Sequence, residues 1–192
     1  MIYVPRFLSK LRDAVITSPA NGEVLAYDTA LAKWKNAAAA GGSSAQYMIV
    51  VDEKAQGTPG GTPVGSGYQI RTLNTVKANT ITGASLASNQ ITLPAGTYYV
   101  EIISTVSITG ASRVKLYNVT DAANTIIGFT GYEGIAINTN LDANGVFTIA
   151  TQKAFEVRQY FQPGFGSNAF GQAHNLTGET ELYCLAYIEK VG

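Results

Sequence analysis

The sequence predicts an all-β protein, a sandwich or barrel of roughly ten short antiparallel strands behind a short extended or hairpin segment. From residue 46 onward apolar side chains recur with a period near two, and no stretch keeps the 3.6-residue period of an amphipathic helix over a usual helix length. These runs are broken at short intervals by Gly, Asn, Asp and Pro, the residues that tight turns require. Residues 37–45, Ala-Ala-Ala-Ala-Gly-Gly-Ser-Ser-Ala, carry no large apolar side chain to put into a core and form a composition break that reads as a linker. With 192 residues, the chain suits one domain and a smaller appendage: a segment 1–36, the linker 37–45, and a domain 46–192.

Segment 1–36 is too short to bury a core of its own, yet it holds Ile2, Tyr3, Val4, Phe7, Leu8, Leu11, Val15, Ile16, Val24, Leu25, Tyr27 and Trp34. Such side chains need cover from a neighbouring copy, a larger assembly or the C-terminal domain. Ser18-Pro19-Ala20-Asn21-Gly22 predicts a turn, with Asn-Gly suited to a tight hairpin because both residues accept positive φ. A strand is expected at 24–28 and its returning partner at 33–36. In the domain, strands are expected at 47–52, 68–74, 81–86, 90–93, 98–105, 113–118, 125–129, 146–150, 153–160 and 181–190. Alternation puts Phe155, Val157 and Gln159 on one face and Glu156, Arg158 and Tyr160 on the other; Val114 and Leu116 likewise share a face.

Charge excludes several functions. Lys and Arg number 13, Asp and Glu 13, and charged residues make up 14% of the chain, against about 25% in an average protein. No basic stripe exists to release counterions from a nucleic acid. A neutral surface of this kind favours association. Cys184, the single cysteine, cannot form an intrachain disulfide or a cysteine zinc site and reads as a small buried apolar residue. His174, the single histidine, lies in a Gly- and Asn-rich stretch rather than on a rigid element that would orient a catalytic base. No calcium-loop spacing, phosphate loop or nucleophile elbow occurs, so no metal, cofactor or catalytic residue is expected. The first eight residues do not read as a signal peptide, and no apolar run approaches the ~20 residues of a membrane-spanning helix.

Oligomerisation is expected from the last strand. Leu182, Cys184, Ala186 and Ile188 fall on one face and Tyr183, Leu185 and Tyr187 on the other. A strand apolar on both sides needs two covering layers, and in a two-layer sandwich the second is a neighbouring subunit. Tyrosine, with 11 residues, suits such contacts by packing its ring while its hydroxyl stays wet.

Two stretches carry family resemblance. Leu11-Arg12-Asp13-Ala14-Val15-Ile16-Thr17-Ser18-Pro19-Ala20-Asn21-Gly22-Glu23-Val24-Leu25-Ala26-Tyr27-Asp28, followed by Lys33-Trp34-Lys35-Asn36, resembles the L-x-D-V-x-I-x-S-P-x-x-G-x-V-L-x-Y-D … K-W-x-N module of tailed-bacteriophage fibre, spike and other virion proteins. It covers about a fifth of the chain, and Ala14 departs from the Asp or Ser often found there. In the domain, Thr72-Leu73-Asn74-Thr75, Ile91-Thr92-Leu93-Pro94-Ala95-Gly96-Thr97-Tyr98-Tyr99-Val100-Glu101, Arg113-Val114-Lys115-Leu116-Tyr117-Asn118-Val119-Thr120 and Phe155-Glu156-Val157-Arg158-Gln159-Tyr160 together resemble the tumour-necrosis-factor-like jelly roll of phage fibre heads and complement globular heads. The resemblance implies an antiparallel jelly-roll β-sandwich that assembles as a homotrimer, with Tyr183, Leu185 and Tyr187 in the trimer interface.

Together the resemblances imply a structural virion protein. Ile2, Tyr3, Val4, Phe7, Leu8 and Trp34 would anchor it to other virion proteins of capsid, neck or tail, and the head would adhere to a host cell-surface glycan or protein. The alternatives are a head-fibre or capsid decoration protein with a stabilising role, and a glycan-active enzyme, which lacks a catalytic constellation. Three Gly-rich loops, 56–67, 129–140 and 161–175, are the candidate surfaces. The third offers Phe165 and Phe170 to stack on sugar rings, with Asn168, Gln172, His174 and Asn175 as hydrogen-bonding groups. The opposing expectation is that both phenylalanines tuck under the loop or into the trimer contact.

Overall fold

The computed structural model describes residues 12–38, 45–134 and 137–192. The chain divides into two compact units, Met1–Ser44 and Ala45–Gly192, which are described separately. The expected anchor residues Ile2, Tyr3, Val4, Phe7 and Leu8 lie outside the described residues.

The first unit is a three-stranded sheet of β1 (Ala14–Val15), β2 (Glu23–Asp28) and β3 (Lys33–Ala38) in the order β1-β3-β2. β3 is antiparallel to β2 and parallel to β1, with Ala14 opposite Trp34. The Asn21-Gly22 turn joins β1 to β2 rather than closing the β2–β3 hairpin; Gly22 takes φ +85°. The hairpin closes at 29–32, where Asp28 Oδ1 accepts from the backbone N–H groups of Ala30 and Leu31, both at 3.0 Å. β3 runs on through Ala37 and Ala38, two residues expected in the linker.

The second unit is a two-layer sandwich with no helix among the described residues. Its strands are β4 (Gln46–Lys54), β5 (Gly67–Ile70), β6 (Thr75–Asn79), β7 (Ser85–Ala87), β8 (Gln90–Leu93), β9 (Gly96–Val106), β10 (Gly110–Asn118), β11 (Ala123–Glu133), β12 (Thr139–Ile149), β13 (Lys153–Phe161) and β14 (Glu181–Lys190). One sheet has the order β12-β9-β14-β4-β6. The other has β11-β10-β13-β8-β7, with β5 pairing the second half of β13. All pairings are antiparallel, and the sheet alternates strands distant in sequence, which is jelly-roll topology.

Alternation builds the core. β9 buries Tyr98, Val100, Ile102, Ser104 and Val106 and turns Tyr99, Glu101, Ile103 and Thr105 outward. β13 buries Phe155, Val157, Gln159 and Phe161, as its pattern predicts. Their apolar members other than Phe161 join Met48, Val50, Leu116, Ala186 and Ile188 in one core between the layers. At one side β11 and β12, edge strands of opposite sheets, come together at Gly128. A Cβ there would lie 2.2 Å from the Asp142 carbonyl, so the approach needs glycine.

Four elements differ from expectation. Residues 129–133 and 139–140, expected in a loop, belong to β11 and β12. Residues 81–86 turn more than they extend: Asn79 Oδ1 accepts from Ile81 N, and Asn79 Nδ2 donates to the Ala84 carbonyl. β12 is longer than 146–150 because an edge strand pairs on one side only, and its outward Asn140, Asp142 and Asn144 read as loop. The expected strand 68–74 divides. β5 ends at Ile70, residues 71–74 cross between the sheets, and β6 then pairs with β4.

The crossing carries Arg71 into the interior, where it is fully buried. Its Nη2 donates to the Tyr183 carbonyl at 2.7 Å, and its Nη1 donates to the carbonyls of Phe170 at 3.1 Å and Thr105 at 3.4 Å. The guanidinium lies over the Phe170 ring, 4.5 Å from its centroid. Asp52, also buried, places Oδ2 3.8 Å from Nη2, and its Oδ1 takes Lys54 Nζ at 2.7 Å. Loss of Arg71 leaves three carbonyls without their donor and Asp52 with Lys54 as its remaining partner, and breaking a buried charged pair costs about 3–5 kcal/mol. Arg71→Leu is therefore expected to lower unfolding free energy by about that much, and Asp52→Asn in the same chain to recover part of it. Denaturant titration of the four chains of this cycle checks both; an R71L chain as stable as the parent contradicts the assignment.

Candidate functional site

The third loop is the best-organised irregular part of the sandwich. Gly60 N–H donates to the Gly171 carbonyl and Phe170 N–H to the Gly61 carbonyl, both at 3.0 Å, tying loop 55–66 to loop 162–180. Gly171, at φ +134°, lies against the Tyr183 ring, 2.3 Å from where its Cβ would be. Tyr183 completes the tie by donating its hydroxyl to the Thr58 carbonyl at 2.9 Å. Burial pushes the Tyr183 phenol up to about 12, which keeps it a neutral donor.

Phe165 and Phe170 turn inward. Both pack edge-on against buried Phe161, with centroids 5.8 and 4.9 Å away. Both stay half-buried, so the contact with Phe161 fastens the loop while part of each ring remains at the surface. The polar residues also serve the loop. Asn168 N–H donates to Thr62 Oγ1 and its carbonyl accepts from Gly171 N–H, both at 2.8 Å. The Gln172 backbone exchanges two 2.8 Å bonds with the Asn138 side chain. Asn175 Oδ1 accepts from Gln56 Nε2 at 3.0 Å. His174 is exposed. The Glu181 carboxylate gathers the N–H groups of Asn175 (2.7 Å), Gly57 (3.2 Å) and His174 (3.3 Å), and these bonds hold its pKa below the ordinary value.

Phe170 also borders a surface depression of about 470 Å³, with Thr62 and Val64 on the loop side and Tyr68, Ile70 and Arg158 on the sheet side. Sequence pattern gave Arg158 and Tyr160 a common face but not their neighbours. β5 supplies Tyr68, whose ring meets Tyr160 edge-on at 5.4 Å.

The residues expected at an interface separate. A bulge between Leu182 and Cys184 shifts the register on β4. Tyr183 therefore enters the protomer, 2% exposed, and Leu182 turns out. Leu185 and Tyr187 stay on the outward face and are half-buried. There Tyr187 lies between Ile49 and Glu101 in register, and Leu185 between Val51 and Ile103. Tyr187 stacks on Tyr47 with centroids 6.2 Å apart.

In the first unit, the residues of the 11–36 pattern have structural work. Glu23 Oε2 accepts from Asn36 Nδ2 at 2.7 Å and Ala20 N–H at 2.9 Å. Asn36 also brackets the Thr17 backbone, with both bonds at 2.9 Å. Trp34 packs edge-on against Tyr27 at 5.4 Å and lines a shallow apolar depression with Leu25 and Ala14. Val24, Leu25, Tyr27, Leu31 and Trp34 are all exposed within this unit.

Among the described residues no group of three His, Cys, Asp or Glu side chains is placed to hold a metal ion, and no helix is long and apolar enough to cross a membrane. A scan against protein-family models matches none, and a search of curated proteins gives no significant match. Among solved structures, murine APRIL at pH 8.0 aligns with a TM-score of 0.52 and 8% identity over 77% of this chain and 100% of its own. Murine APRIL at pH 5.0 gives 0.51 and 10% over the same shares. The globular domain of zebrafish complement 1qA protein gives 0.46 and 10%, over 76% of this chain and 95% of its own. At these identities the likeness is one of fold: the second unit is an all-β jelly-roll sandwich of the tumour-necrosis-factor-like type.

The Glu181 clasp makes the loop acid-sensitive. A carboxylate whose pKa is lowered on folding stabilises the native loop above its ordinary value of 4.5, and that contribution is lost as pH falls through the lower folded value. Hydrogen exchange of the Gly57, His174 and Asn175 amides, relative to intrinsic rates, is expected to be slow above this range and to accelerate below it. Protection independent of pH contradicts the clasp.

Proposed function

We propose that this chain is a non-enzymatic structural protein of a tailed-bacteriophage virion. In this function three copies join through their sandwiches, and the heads adhere to the host surface while the N-terminal units fix the trimer to the particle. The observation that carries the trimer is the outward face of the sheet β12-β9-β14-β4-β6. β14 is hydrogen-bonded on both sides, so it is central, yet its outward Leu185 and Tyr187 sit among Ile49, Ile103, Tyr47 and Tyr99 with no layer of this unit above them. A second and third copy covering this face would bury it as apolar surface requires, and the tumour-necrosis-factor-like fold supports that arrangement.

The virion placement is supported by the module at 11–36. Its Asp28, Trp34 and Asn36 hold the small sheet together, and its Val24, Leu25 and Trp34 are exposed and open to a partner. Adhesion by three weak sites per trimer and many trimers per particle gains strength through effective concentration.

Removal of 1–36 separates attachment to the particle from attachment to the host. The expected outcome is a head that no longer joins particles but still labels host cells and blocks infection. A head that binds no cells, beside particles that lose shell stability without the chain, would favour the decoration function instead.

A further inference from the structure

The outward face of the second sheet concentrates positive charge that the sandwich neutralises only in part. Lys115 on β10 lies directly opposite Arg158 on β13, and Arg158 opposite Ile70 on β5; two residues along, Arg113 lies opposite Tyr160, and Tyr160 opposite Tyr68. Like charges facing one another across strands destabilise a sheet. Arg158 has one acidic partner, with Nε and Nη2 each 2.8 Å from Glu156 Oε2. Lys115 donates to Asn124 Oδ1 at 2.8 Å, and Arg113 donates to the Thr130 hydroxyl. Among the described residues neither Lys115 nor Arg113 has a carboxylate at ion-pair distance, and the buried Arg113 Nε has no hydrogen-bond partner. Burial and the charge of Arg158 push the Lys115 pKa down, the mark of a cation held at a cost.

Aromatic rings stand between these cations. Lys115 Nζ is 3.6 Å from the Tyr68 ring centroid, and Arg158 Cζ is 3.6 Å from that of Tyr117. Tyr68 borders two depressions. One, of about 470 Å³, holds Arg158; the other, of about 260 Å³, holds Arg113 and Tyr160. Each has the size for one or two sugar rings, and a guanidinium suits a carboxylate or sulfate through paired N–H donors.

We propose that this face binds an acidic oligosaccharide that crosses Tyr68, with one anionic substituent at Arg158 and another at Arg113. The site rests on the adhesive function proposed above and names the ligand class. Three cations on one face of a neutral chain favour a short acidic saccharide over a nucleic acid, whose binding needs a longer basic track. The acid group would supply the counter-charge that Arg113 lacks within the sheet, while Lys115, buried against the Tyr68 ring, adds its field from below.

Titration calorimetry of the full chain tests this with a heparin-derived tetrasaccharide, a tetragalacturonate and uncharged maltotetraose. Either acidic probe, or both, is expected to bind, more weakly as salt rises, and maltotetraose is not. Binding of the heparin fragment alone assigns sulfate, and of tetragalacturonate alone assigns carboxylate. Arg158→Gln and Arg113→Gln should each weaken binding at least ten-fold, while Arg158→Lys weakens it less and Lys77→Gln, on the opposite sheet, leaves it unchanged. Acidic probes that fail to bind, or that bind the Gln variants as tightly as the parent, overturn the site. If the same variants still label host cells, the adhesive function stands without it; if the parent labels none, both fall.

Discussion

The buried guanidinium of Arg71 is the point on which the sandwich and its loops jointly depend. It reaches carbonyls on β9, on the long loop and at the β14 bulge, and it stacks on Phe170. These groups come from stretches that are far apart in sequence, so one side chain ties a sheet to a loop, while the Arg71 backbone N–H donates to the Val157 carbonyl on the other sheet. A planar donor with five N–H groups is the side chain able to serve several carbonyls from one point. Asp52 keeps the charge from standing alone in the interior.

From that point outward the loops lose their freedom in steps. The bulge that offers the Tyr183 carbonyl to Arg71 also sends the Tyr183 ring inward, and Gly171 and Gly60 admit that ring between two loops. Phe170, held beneath Arg71, then borders the depression that Arg158 and Tyr68 complete. The depression therefore has one rigid wall from strands and one from a loop clamped to the core. Such a surface loses little entropy on binding a ligand, which is how a shallow site gains affinity.

Much of this fold was legible in the chain, because period-two burial is a local signal: Phe155, Val157 and Gln159 enter the core where alternation puts them. β6 and the first half of β12 were not legible. Val76-Lys77-Ala78-Asn79 and Asn140-Leu141-Asp142-Ala143-Asn144 belong to edge strands that face solvent and carry loop-like residues. The site was less legible than the fold. The aromatic content of the third loop drew attention to Phe165 and Phe170, half-buried rings that pack on Phe161, while Arg71 looked like an ordinary strand residue. Tyr183 shows the limit of alternation most directly, since one bulge reverses which of Leu182 and Tyr183 is inside. The cluster of Tyr68, Arg113, Lys115 and Arg158 needs three strands in register, and no single stretch of sequence contains that register.

The two faces of the sandwich have different chemistry, and the difference organises the proposed assembly. One outward face is apolar and tyrosine-rich around Leu185 and Tyr187, suited to copies of itself; the other is cationic and aromatic around Tyr68, suited to a ligand. The division holds only if the first face is covered. The mass in solution of residues 45–192, by light scattering coupled to size exclusion, tests that most directly. A stable trimer is the predicted result, broken by Tyr187→Glu. A monomer even at high protein concentration would contradict it and leave the Leu185 face without the cover that its composition demands.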